Sequence, residues 1–106
     1  MLSLFLVILA AIFNSMMDTT THHFSTSIFK NLDPKFWNPN VSWEYAKNIN
    51  GYKLDFWHIC KSLMLFSLMA AIVLYKPITK YPLLDWAILG SVWNIVFNTF
   101  YNKILR

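Results

Sequence analysis

Residues 56–75, FWHICKSLMLFSLMAAIVLY, carry one lysine, one histidine and two serines in an otherwise apolar run. As a helix rising 1.5 Å per residue, such a run is about 30 Å long, enough to cross the hydrocarbon core of a bilayer. Lys76-Pro77 stops it, because proline removes a helical donor and clashes with the preceding turn. Working outward, a second run follows at 83–102, entered through Pro82 and closed by Lys103 and Arg106. A third opens the chain over 1–22, apolar from Met1 to Met17 except for Ser3, Asn14 and Ser15. No basic residue precedes its core and no small-x-small site follows, so it reads as a retained anchor, not a cleaved leader. The predicted fold class is all-α, a single membrane domain of three transmembrane helices.

Composition agrees with this. The 106 residues are 57 % apolar, 18 % aromatic and 13 % charged, against roughly 25 % charged in soluble domains. A water-soluble fold of this size would present large greasy patches, so lipid is the better solvent. The net charge of +4 is spread over scattered lysines, with no basic run to track nucleic acid. Cys60 is the only cysteine, and it reads as a buried thiol.

Segment 23–55 is too polar to span. Asp33-Pro34, Asn38-Pro39 and Asn50-Gly51 are turn signals that divide it into short pieces. Phe29, Phe36, Trp37, Trp43, Tyr45, Tyr52 and Trp57 recur between lysines. Rings with polar edges favour the headgroup level, which predicts a segment lying along the membrane surface. A loop folded over the helix ends has nearly the same composition. Both arrangements are compatible with it.

Three crossings put this segment and the C-terminus on one side, with the 76–82 hairpin on the other. Lys30, Lys35, Lys47, Lys53, Lys103 and Arg106 face Lys76 and Lys80 across the membrane, so 23–55 and the C-terminus are expected in the cytoplasm, at a plasma or inner membrane. Asn40-Val41-Ser42 would be a glycosylation acceptor only in the reverse orientation.

Polar residues gather at the side of segment 23–55. Asn14, Asp18 and His22 follow at intervals of four, Asp55 and His58 at three, and Asn94, Asn98 and Asn102 again at four. By rise per residue, His58 and Asn98 stand about 25 Å and 21 Å above the hairpin, and Asp18 about 25 Å above the chain start. Two stripes lead to this level: Ser3, Val7, Ala10, Asn14, Asp18 and His22, and Ala87, Ser91, Asn94 and Asn98 with Gly90 beside them. Small residues allow close helix approach and asparagines bond across it, so both stripes are expected to face the bundle interior. Asn14, Lys61, Asn94 and Asn98 are the expected inter-helix polar contacts.

Asp18 with His22, and Asp55 with His58, each place a carboxylate and an imidazole on one helical face. Converging, they would offer four oxygen and nitrogen ligands to zinc, iron or manganese, with His23 as an alternate. A carboxylate followed three residues later by histidine is a device of metal-holding bundles. Water on such a metal could attack a lipid-like substrate. The same residues have plainer uses. Asp55 is a natural N-cap for the second span, and Lys61 could pair with Asp18 or Asp55. The cluster then serves as polar glue, in a structural or accessory subunit of a larger membrane assembly. A small pore-forming oligomer lined by Asn94 and Asn98 is a third possibility. P-loop, dinucleotide-binding, His-Glu-x-x-His and Cys-x-x-Cys motifs are absent from the sequence.

His22-His23-Phe24-Ser25, Phe36-Trp37-Asn38-Pro39, Ser42-Trp43 and Asp55-Phe56-Trp57-His58 together carry a resemblance. Over roughly residues 14–76 the chain resembles a group of small uncharacterised bacterial membrane proteins of the Bacteroidetes type, with a His-His, Phe-Trp-x-Pro, Ser-Trp, Asp-x-Trp-His order. The resemblance implies a polytopic membrane protein of such a bacterium or its phage. It implies no activity.

Overall fold

The computed structural model describes residues 2–45, 47–49 and 52–106 of the chain. Its long elements are three helices: α1 at Leu2–His22, α4 at Phe56–Val73 and α5 at Pro82–Thr99. Between α1 and α4 lie a 3-10 turn at Phe24–Thr26 and two short helices, α2 at Pro34–Trp37 and α3 at Pro39–Tyr45. A two-stranded ribbon follows, β1 at Lys47–Ile49 and β2 at Tyr52–Leu54. α5 runs on as a π-helical turn through Phe100–Ile104, closed by a Leu105 N–H to Phe100 carbonyl bond of 2.8 Å. Each long helix, α5 with its π turn included, is long and apolar enough to cross a membrane.

α1 lies between the other two. It packs along α4 on one flank and α5 on the other, while α4 and α5 barely touch each other. The start of α1 reaches the end of α4, with Ser3 and Val7 beside Ala71 and Ile72. At the other end, the His23 and Tyr101 rings meet at 5.4 Å, and the Ile28 N–H donates to the Leu105 carbonyl at 2.9 Å. The order is therefore up, down, up, and the molecule is a slab of 49 × 34 × 16 Å. Ala10, Ala11 and Ser15 are fully buried on α1, so small side chains let two neighbours approach its backbone. Several α1 hydroxyls bond back to the preceding turn: Ser15 to the Ile12 carbonyl at 2.6 Å and Thr21 to the Met17 carbonyl at 2.8 Å. That satisfies these two hydroxyls where lipid offers no partner.

Segment 23–55 divides into two halves. Phe29, Phe36, Trp37 and Phe56 form an aromatic cluster between α1 and α4, with Trp37 and Phe56 centroids 4.4 Å apart. This half folds over the helix ends. Trp43 and Tyr45 stay exposed, each under a lysine: Lys53 lies 5.6 Å from the Trp43 ring and Lys35 5.1 Å from Tyr45. The short helices begin where their prolines and caps dictate; the Asp33 side chain accepts from the Lys35 N–H at 3.0 Å. Among the described residues the ribbon is the one departure from an all-helical chain. Its register pairs Ile49 with Tyr52 across two residues, and the Asn50-Gly51 turn signal itself lies outside the described residues.

Candidate functional site

The polar end of the slab is organised around Asp55. As N-cap of α4, it accepts the His58 backbone N–H at 2.8 Å. The same oxygen, Oδ1, stands 2.7 Å from His58 Nδ1. Its other oxygen, Oδ2, accepts from the Ser42 hydroxyl at 2.6 Å. Ser42 and Asp55 are both essentially buried, at 0 % and 1 % exposure, so this bond ties α3 to the head of α4 away from water. Burial pushes the Asp55 carboxyl up. The hydrogen bonds from Ser42 and from the His58 backbone and ring, with the charge on His58, outweigh burial and hold it below the ordinary carboxylate range. Sequence spacing foresaw Asp55 with His58 and the cap. Ser42 carries no local signal, because its partner lies thirteen residues away.

The other expected members stand apart from this centre. His22 is exposed at the end of α1, and His23 turns its ring toward Tyr101. Asp18 is half-buried, and its carboxylate makes no hydrogen bond or ion pair among the described residues. Among those residues, no three His, Cys, Asp or Glu side chains gather in a way that could hold a metal ion. Lys61 reaches neither carboxylate and lies 5.3 Å from the Trp57 ring. Cys60 is buried, as expected.

The stripes also differ from expectation. On α1 the buried face runs through Ser3, Val7, Ala10, Ala11, Ser15 and Thr19, rotating away from Asp18 and His22. A stripe read at alternating threes and fours drifts from the true contact line once two neighbours share one helix. On α5, Ala87, Gly90, Ser91, Asn94 and Asn98 point outward, away from α1. Trp86, Ala87, Gly90, Ser91 and Asn94 line a shallow groove of about 330 Å³ there, and a Cβ added at Gly90 would meet nothing within 4 Å. Asn94 and Asn98 are thus exposed on the side of α5 turned from α1, where the sequence led one to expect the bundle interior. Asn14 is half-buried on α1.

A second polar centre escaped the sequence reading altogether. Asp85, in the first turn of α5, is 2 % exposed. It accepts the Ile78 N–H at 3.0 Å, the Thr79 N–H at 2.8 Å, the Thr79 hydroxyl at 2.6 Å and the Tyr75 hydroxyl. One carboxylate thus closes the whole α4–α5 hairpin. The available signal was Pro82-x-x-Asp85, a proline followed by an acid in the first helical turn.

No family model, no curated protein and no solved structure matches the chain. What stands is a small helical protein with three candidate membrane spans and lipid as its first partner.

Proposed function

We propose that this chain is a structural or accessory subunit of a membrane assembly, and that α5 is the helix it offers to its neighbour. The carrying observation is the outward placement of Ser91, Asn94 and Asn98 on a candidate span. An amide facing hydrocarbon loses its hydrogen bonds, whereas a polar partner helix restores them. Gly90 and Ala87 keep that face low, so another backbone can come close. The Asp55 centre acts in this reading as a pin that fixes α3 to α4. Asp55 and His58 already bond each other and supply two donors, half of the four a zinc site takes, which favours the pin over hydrolytic metal chemistry.

The subunit lies in a plasma or inner membrane with segment 23–55 and the C-terminus cytoplasmic. Lys30, Lys35, Lys53, Lys103 and Arg106 on that side, against Lys76 and Lys80, support this orientation. The test is purification from native membranes in mild detergent. A second integral membrane protein should co-purify with the wild type and be lost from Asn94→Leu/Asn98→Leu. A solitary monomer from both would sink the reading. Elemental analysis of the same samples decides the metal alternative: one zinc, iron or manganese per chain, lost on Asp55→Ala, would replace the pin by a metal site.

A further inference from the structure

α1, α4 and α5 leave a groove where they diverge at the hairpin end, and that groove has the features of a lipid site. It encloses about 420 Å³, within the roughly 300–1,000 Å³ usual for small-ligand sites. Val7, Leu68, Ala71, Ile72 and Leu89 give it an apolar wall, and Tyr75 stands at its hairpin end. A smaller hollow of about 290 Å³, between Tyr75, Pro82, Asp85, Trp86 and Leu89, adjoins it through the two shared residues. Ser3 also lines the groove. It is 2 % exposed, and its Oγ has no hydrogen-bond partner among the described residues, whereas Ser15 and Thr21 bond back to the preceding turn; Thr19 Oγ1 is likewise unpartnered but does not line this groove. A buried hydroxyl left without a partner costs free energy, so its position beside an apolar hollow calls for an acceptor arriving from outside.

The charges at this end narrow the choice. Lys76 and Lys80 are exposed on the hairpin that follows Tyr75. The nearby acid, Asp85, is buried, bonded to neutral loop donors and ion-paired with neither lysine, so the two exposed charges outnumber the one acid at this end. Basic residues beside a span attract anionic headgroups, and an apolar groove takes an acyl chain.

We propose that the groove between α1, α4 and α5 holds one acyl chain of an anionic phospholipid. The Ser3 hydroxyl donates to an ester carbonyl at the top of the chain, and Lys76 and Lys80 hold the headgroup phosphate. The site is separate from the α5 outer face and does not depend on the assembly reading.

The test is native mass spectrometry of the full chain in detergent, incubated with dioleoylphosphatidylglycerol or dioleoylphosphatidylcholine. One phosphatidylglycerol should be retained per chain, with phosphatidylcholine retained several-fold less. Ile72→Trp, at a rim position 77 % exposed, fills the groove without touching the core and should abolish retention. Lys76→Gln/Lys80→Gln, on the exposed loop, should erase the preference between the two lipids. Ser3→Ala should weaken retention of both by about fivefold, the scale of one neutral hydrogen bond. Far-ultraviolet circular dichroism confirms that each variant is helical. Equal retention of the two lipids by the wild type, or wild-type retention by Ile72→Trp, overturns the proposal. So does a dimer without bound lipid, which would make a second copy the occupant.

Discussion

Asp55 concentrates three jobs in one side chain: cap of α4, partner of His58 and acceptor for Ser42. Asp55→Ala removes the cap and strands a buried hydroxyl, and the two losses together should cost about 2–4 kcal/mol in denaturant unfolding from micelles. Asp55→Asn keeps a capping oxygen and should cost less. The pH dependence follows from the depressed pKa of this carboxyl. Its contribution is present in full above the ordinary carboxylate value and is lost as the pH falls through the lower folded value. Thermal stability of the wild type should therefore hold from pH 7 to about pH 5 and decline below about pH 4. The decline should be shallower in Asp55→Asn, and identical curves would refute the assignment. Asp55 with His58 was legible in the sequence because three residues is a helical spacing. Ser42 was not, since only the fold brings α3 to α4. Asp85 was hidden for another reason: one acid inside an apolar run looks like a tolerated charge until the loop amides around it are seen.

At the scale of elements, the three long helices were the clearest part of the chain, since long apolar runs with proline and lysine stops leave few alternatives. The short pieces were harder. α2, α3 and the ribbon are a few residues each, and local turn chemistry marks where they break without saying what they form. The α5 stripe was expected to face the bundle interior and its residues are exposed instead, because periodicity on one helix names a face but not its occupant. The α4–α5 hairpin provides a direct test of the Asp85 clasp. Asp85→Ala leaves two loop N–H groups and the Tyr75 hydroxyl without their acceptor, with the Thr79 hydroxyl keeping only the Tyr81 carbonyl, while Tyr75→Phe removes one donor. The first should lower the thermal midpoint clearly more than the second, and both should speed proteolysis at the 76–81 loop. On α5, Gly90→Leu should leave the monomer's stability within about 0.5 kcal/mol, as for a surface site, while disrupting any assembly through that face.

The whole molecule is a single layer of helices, 16 Å through its thinnest direction, with α1 as the shared middle. Its stability rests on the small residues of that middle helix. Ala10→Leu or Ala11→Leu forces bulk into positions with no exposure and should cost about 1–3 kcal/mol, whereas Phe5→Leu on the outer side should be nearly silent. Equal effects at inner and outer positions would contradict the layered arrangement. The central place of α1 also has a consequence in time. Made before the other two, α1 gains one companion when α4 arrives, and its other flank stays open until α5 follows and swings in beside it. Biogenesis of this protein is therefore a matter of waiting. A ribosome that stalls before residue 82 leaves the keystone half-clad, a form that quality-control proteases should clear.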